Sequence, residues 1–194
     1  MKLLHIDSSV LGQHSVTREL GAAIVAQWSA ALPGLEVQYR DLDRDPLPHL
    51  DGASLAKADP ARAAADEQVL QQFLDADVIV LGAPMYNFGI PSTLKAWIDR
   101  IAVAGRTFRY TESGPQGLAG GRQVIVASGR GGIHAGAPTD FQEPYLRQVF
   151  AFLGIEEVQF VRAEGVAYSP EHRAEAIARA KASITGPTTL AHAA

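Results

Sequence analysis

Val78-Ile79-Val80-Leu81 is an unbroken apolar run that ends at Gly82, and Val124-Ile125-Val126-Ala127 is a second. A strand without polar alternation must be covered on both faces, a condition met in parallel sheets that lie between helices. Three more strand signals join them: Leu3 to Ile6, the alternating Leu35 to Tyr39, and Val158 to Val161. Helical patterns separate these strands. Val16 to Trp28 has Leu20, Ile24 and Trp28 spaced by four, and Ala61 to Leu74 is Ala-rich. Pro91 opens a stripe of Leu94, Trp97, Ile98 and Ile101, Tyr145 to Leu153 stops at Gly154, and Pro170 starts a last helix. Arg40 to Asp59, with Pro46, Pro48 and Gly52, reads as a long loop. Thr107 to Thr111 alternates like a strand before the breakers Gly114, Pro115 and Gly117.

This alternation predicts an α/β fold, a five-stranded parallel sheet with helices on both faces. The expected strand order is 2-1-3-4-5, the flavodoxin-like one. A chain of 194 residues, 47% apolar, suits a single domain, here 1–185, with 186–194 as a frayed tail. The net charge of −4 argues against a nucleic-acid binder. With no cysteine, disulfides, a thiol nucleophile and thiolate metal sites are excluded, and the six histidines are scattered, so no metal site is expected. The apolar run at the N-terminus is too short for a secretory signal, and nothing approaches the roughly 20 apolar residues of a membrane span. The expected location is cytoplasmic.

Ligands of such sheets bind beyond the carboxyl ends of the strands, at the point where the strand order reverses. The loops after the first, third and fourth strands should therefore carry the chemistry. The first, Ser8 to Arg18, joins a strand to a helix. Free N–H groups and the helix dipole suit an anion there, and Ser9, Ser15 and Thr17 add hydroxyl donors. Ser15 is equally an ordinary helix cap. The loop lacks the G-x-G-x-x-G of a dinucleotide fold and the G-K-[ST] of a P-loop, which shifts the balance toward a flavin mononucleotide phosphate.

The second loop, Gly82-Ala83-Pro84-Met85-Tyr86-Asn87-Phe88-Gly89-Ile90-Pro91, carries apolar and aromatic side chains outside any core periodicity. Met85, Tyr86 and Phe88 can form a bed for a flat heteroaromatic ring, with Asn87 bonding its edge. The plain alternative is a turn whose aromatics pack inward. The third loop, Ser128-Gly129-Arg130-Gly131-Gly132-Ile133-His134, lets the backbone approach a ligand closely. Its amides, with His134 or Arg130 nearby, are placed to stabilise negative charge on a reduced flavin.

Together the loops resemble those of the FMN-dependent NADH:azoreductases, also described as NADH:quinone oxidoreductases. The resemblance rests on Pro84 to Pro91 followed by Leu94-Lys95 and Asp99-Arg100, on Phe108 to Glu112 with Gly114-Pro115 and Gly117-Leu118, and on Gly131 to His134. It implies that Ser9 and Ser15-Val16-Thr17 bind the FMN phosphate, where family members often carry Ser in place of Thr17. It implies that Met85, Tyr86, Asn87 and Phe88 contact the flavin ring and ribityl chain, and that the Gly-rich loop lies along the pyrimidine edge. Many members read Ser-Arg-Gly-Gly where this chain has Gly129-Arg130-Gly131-Gly132, which leaves open whether Ser128 or Gly129 takes that role. It implies a homodimer with two active sites at the interface.

A family member of this kind reduces quinones and azo compounds with NADH or NADPH as donor, by ping-pong hydride transfer. The cofactor carries that chemistry, so no catalytic side chain is assigned. Tyr86, Phe88, Phe108 and Tyr110 are candidates for shaping the acceptor site, with Phe108 and Tyr110 expected to touch the substrate, although Tyr110 also reads as a plain strand residue. The stretches around Tyr86–Ile90, Trp97 and Phe108–Tyr110 are candidates for the dimer surface, and Trp97 also suits packing under the sheet. Three rivals remain: a flavodoxin-type electron carrier, for which −4 is weakly acidic; an NADPH-dependent FMN or chromate reductase; and a receiver-type phosphate binder, which would need an Asp where Gly82 stands.

Overall fold

The structure is a computed structural model and describes residues 1–187. Its centre is a parallel sheet of five strands: β1 (Lys2–Asp7), β2 (Glu36–Asp41), β3 (Val78–Pro84), β6 (Gln123–Gly129) and β7 (Glu157–Ala163), in the order β2-β1-β3-β6-β7. The expected order holds once β6 and β7 are counted as the fourth and fifth strands. The two apolar runs lie in β3 and β6, neighbours at the middle of the sheet and buried along their whole length.

Side chains alternate between the two faces, as a strand requires. Leu3, Val78, Val80 and Ile125 face α1 (Val16–Ala31) and α6 (Pro170–Ala182), packing with Leu20, Ile24, Trp28 and Ile177. Leu4, Ile79, Leu81 and Val126 face the other way, with Phe73, Trp97 and Phe150 from α3 (Pro60–Asp75), α4 (Ser92–Ile101) and α5 (Gln142–Phe152). Pro60 and Pro170 each open a helix behind a capping residue, Asp59 and Ser169.

Two segments differ from expectation. The long loop contains a short helix, α2 (Gly52–Leu55), because the Asp51 carboxylate accepts from the Ser54 amide at 2.8 Å and so caps a turn there. Gly114–Gly117, read as breakers, forms a strand (β5) that pairs antiparallel with the expected strand Phe108–Thr111 (β4), a hairpin outside the main sheet. Most of the tail that the sequence marks as frayed, 188–194, lies outside the described residues. No described helix is long and apolar enough to cross a membrane.

Candidate functional site

The loop after β1 turns tightly over Gly12–His14 and enters α1 at Ser15. Ser15 caps the helix, its Oγ accepting from the Arg18 amide at 3.2 Å. Its hydroxyl also lies 3.1 Å from that of Thr17, and both residues are buried. Among the described residues, the Val16 and Thr17 N–H groups have no acceptor. Two free amides beside two hydroxyls at a helix start suit an anion. Both readings of Ser15, cap and anion donor, are compatible in one side chain.

After β3 the chain makes a two-residue turn. Tyr86 and Gly89 exchange backbone bonds of 3.0 Å in each direction, with Asn87 (φ 50°) and Phe88 (φ 69°) between them. Both central residues are left-handed, the pattern of a type I′ turn, in which Asn is at home and Phe is not. That strain is held at an exposed Phe88 ring, so the aromatics here do not simply pack inward. Tyr86 reaches across to the first loop, its hydroxyl 3.2 Å from Ser9 Oγ and accepting from the Val10 amide at 3.3 Å. Met85 is half-buried, and its amide donates to the Gly129 carbonyl at 2.9 Å.

The third loop is fastened from behind. The carbonyls of Arg130, Gly131 and Gly132 accept from the amides of Val166, Ala167 and Gly165, at 3.1, 3.2 and 2.9 Å. The Gly131 and Gly132 N–H groups have no acceptor among the described residues. Gly129 is closely packed: a Cβ there would stand 3.1 Å from Thr17 Cγ2 and 3.3 Å from Val16 Cβ, so those side chains would have to give by a few tenths of an ångström. The first turn of α1 thus rests directly on the end of β6. His134 Nδ1 lies 3.0 Å from the Thr139 hydroxyl, and its ring meets Phe88 edge to face.

Three sequence expectations need correction. The Arg130 guanidinium is not a cation open to a ligand. It is fully buried and donates to Asp140 and Glu143 at 2.9 Å and to Glu164 at 3.3 Å. Three carboxylates consume its charge, leaving only its backbone at the loop. Ser128 is also internal, its hydroxyl donating to Gln142 Oε1 and accepting from Arg130 Nε. Phe108 packs against Phe152, with centroids 4.4 Å apart. Its remaining edge borders a separate cavity of about 450 Å³ between the α2 segment, α3 and the end of α4. Tyr110 is 75% exposed on the hairpin. Trp97 is fully buried under the sheet and is removed from any surface role.

Sequence reasoning missed Gln142, Glu164 and Arg18. Gln142 Nε2 donates to the carbonyls of Ala83 and Pro84, fixing the end of β3. Glu164 Oε1 accepts the amides of His134 and Ala135, at 2.8 and 2.9 Å, and so fixes the Gly-rich loop. Arg18 forms a bidentate pair with Asp41, and that hydrogen bond raises its pKa further while lowering that of Asp41. Burial, and then the hydrogen bond to Asp7, push Tyr39 up to about 12, so it stays protonated and donating.

The family model described as flavodoxin-like fold matches residues 1–186, and the sheet order agrees, which defines the class of protein. The sequence is 67% identical over 184 residues to the FMN-dependent NADH:quinone oxidoreductase of Stenotrophomonas maltophilia, covering 95% of this chain and 94% of that one. It is 54% identical over 202 residues to the enzyme of the same name from Rhizobium meliloti, covering 98% of each. Among solved structures, an azoreductase from Bacillus anthracis superposes with a TM-score of 0.86 at 28% identity, over 95% of this chain and 96% of that one. An FMN-dependent NADH-azoreductase from the same species, in complex with FMN, gives 0.83 at 28% identity, over 94% and 96%. This chain belongs to the FMN-dependent NADH:quinone oxidoreductase family of flavodoxin-like proteins.

Proposed function

We propose that this chain is an FMN-dependent NADH:quinone oxidoreductase that also reduces azo compounds. The names of its relatives supply the donor, cofactor and acceptor classes. The observation that carries the reading is the supply of unspent donors at one end of the sheet: the Val16 and Thr17 amides beside the Ser15 and Thr17 hydroxyls, and the Gly131 and Gly132 amides. These residues fit FMN. The first group suits a phosphate at a helix start. The second suits polar atoms along a ring edge, and the turn that carries Met85, Tyr86 and Phe88 reaches the first loop through Tyr86 and the third through Phe88, so it is read as the bed. Ser9 links the two halves through Tyr86.

When bound, FMN supplies the relay that accepts a hydride from the nicotinamide and delivers it to the acceptor. The chain orients both partners and limits water. Phe88 and His134 border the bed from two loops. One such bed admits donor and acceptor in turn, so ping-pong kinetics follow. The buried Arg130 helps keep the Gly-rich loop fixed through Glu164, which also accepts the His134 and Ala135 amides. Residues 1–185 serve as one FMN domain, and the cytoplasm, where NADH is supplied, is the location that suits this activity.

The active unit in this reading is a homodimer. Val10, Leu11, Phe88, Ile133 and Tyr110 are exposed apolar side chains on the loops and the hairpin. A second copy related by twofold symmetry would cover them and wall the bed. Three measurements test the reading. The purified protein should show flavin bands near-stoichiometric with protein and oxidise NADH when menadione is present. Protein that neither retains nor binds FMN contradicts it. Sedimentation equilibrium at assay concentration should give twice 20.7 kDa, and a fully active monomer removes the shared site.

A further inference from the structure

Beneath the first loop lies a polar cluster that the proposed function leaves unused. Asp41, at the end of β2, accepts from Arg18 Nη1 at 2.6 Å and Nη2 at 2.8 Å. The same guanidinium donates from Nη2 to the Ser9 carbonyl at 2.9 Å, and from Nη1 to Tyr39 at 3.1 Å and Asp7 at 3.4 Å. Tyr39 in turn donates to Asp7 at 2.9 Å. The side chains of Arg18 and Asp41 are 15% and 8% exposed. Ser9 then passes the connection on, its hydroxyl lying 3.2 Å from that of Tyr86. A continuous chain, Asp41–Arg18–Ser9–Tyr86, runs from β2 through α1 and the β1 loop to the turn after β3.

Arg18 also sits on the helical turn that presents Ser15 and Thr17, and its amide binds the Ser15 hydroxyl. One residue is therefore tied to both halves of the site. Its amide sets the hydroxyl pair, and its guanidinium sets Ser9 and, through Ser9, Tyr86. A planar fork can hold a carboxylate with two donors and still give another bond to a carbonyl. A lysine ammonium keeps the charge but loses that fixed geometry. As a contribution to stability alone, a largely buried ion pair is a weak device. The bond to the Ser9 carbonyl gives this pair a second use.

We propose that Arg18 is a positioning residue that keeps the phosphate side and the ring side of the cofactor site in register, placing Tyr86 through Ser9. The proposal rests on the FMN reading. The experiment is FMN titration of the apoprotein for wild type, Arg18→Gln, Arg18→Lys, Tyr86→Phe and Arg18→Lys combined with Tyr86→Phe. Each apoprotein's thermal midpoint is measured alongside, with the visible circular dichroism of the bound flavin. Arg18→Gln should weaken FMN about tenfold or more, the scale of one lost hydrogen bond to a charged group. Arg18→Lys should fold with a near-normal midpoint, yet bind more weakly and shift the flavin dichroism toward that of Tyr86→Phe. The combined variant should lose less than the product of the two single losses, because both act through Ser9. If wild-type apoprotein fails to bind FMN, the functional reading falls and this proposal with it. If wild type binds but the losses multiply independently, or if Arg18→Lys leaves affinity and dichroism unchanged, Arg18 is only structural and the proposal is overturned. Should Arg18→Gln not fold, the cycle with Arg18→Lys decides.

Discussion

The ring of Phe88 meets the imidazole of His134 edge to face, with centroids 5.7 Å apart and planes at 87°. The contact joins the turn after β3 to the Gly-rich loop after β6, and it is made by a residue held at φ 69°. A left-handed non-Gly residue costs about 1–2 kcal/mol. Glycine adopts that φ without strain but loses about 0.5–1 kcal/mol to chain entropy. Phe88→Gly is therefore expected to leave the apoprotein at least as stable as wild type while weakening FMN binding. Thermal unfolding beside FMN titration checks this. A midpoint several degrees lower would mean that the Phe88 contact outweighs the strain.

Ser15 and Thr17 can be told apart. Ser15 caps α1 and, in the proposed reading, also donates to the phosphate, whereas Thr17 offers its hydroxyl only to Ser15 among the described residues. Ser15→Ala should cost about 1 kcal/mol of stability through the lost cap. It should also cost about 1.5–3 kcal/mol of FMN binding through the lost donor. Thr17→Val should weaken FMN with little change in unfolding midpoint. Unchanged affinity in both variants would remove this loop from the phosphate site.

Gly129 connects packing to the site. An added Cβ would press on Thr17 Cγ2 and Val16 Cβ, at 3.1 and 3.3 Å. The two side chains must give by a few tenths of an ångström to admit it, and overpacking that they do not relieve costs about 1–3 kcal/mol. The strain falls on the first turn of α1, so Gly129→Ala should lower FMN affinity as well as the melting midpoint. A variant that melts lower yet binds FMN normally would show that the helix start does not hold the ligand.

The sheet and its order were legible because buried central strands and amphipathic helices carry local signals, as in Val78–Leu81 and the Leu94–Ile101 stripe. The position of Phe108–Thr111 was not, since the same alternation suits a sheet strand or a separate hairpin. Arg130 looked like an open cation because its three carboxylate partners stand 10, 13 and 34 residues away. Arg18 carried no sequence signal for the same reason. Its partners come from β1 and β2, and only folding brings them to the first turn of α1.

The Arg18–Asp41 pair sets a pH dependence. Its hydrogen bond holds the Asp41 carboxyl below the usual 3.8. A folded-state pKa lower than the unfolded one gives stability that is present above the unfolded value and lost as pH falls through the folded one. Wild-type thermal midpoints should therefore fall more steeply than those of Asp41→Asn between about pH 5 and about pH 3. At neutral pH the variant should be the less stable of the two. Parallel curves over that range would mean that the pair contributes nothing.

The account turns on one bed that serves donor and acceptor in succession. Anaerobic mixing of the FMN-loaded protein with NADH, followed separately by menadione, tests it most directly. Flavin absorbance should bleach on NADH alone, and it should return on menadione after the nicotinamide has been removed. Bleaching that needs both substrates together, or no bleaching with NADH, would contradict it.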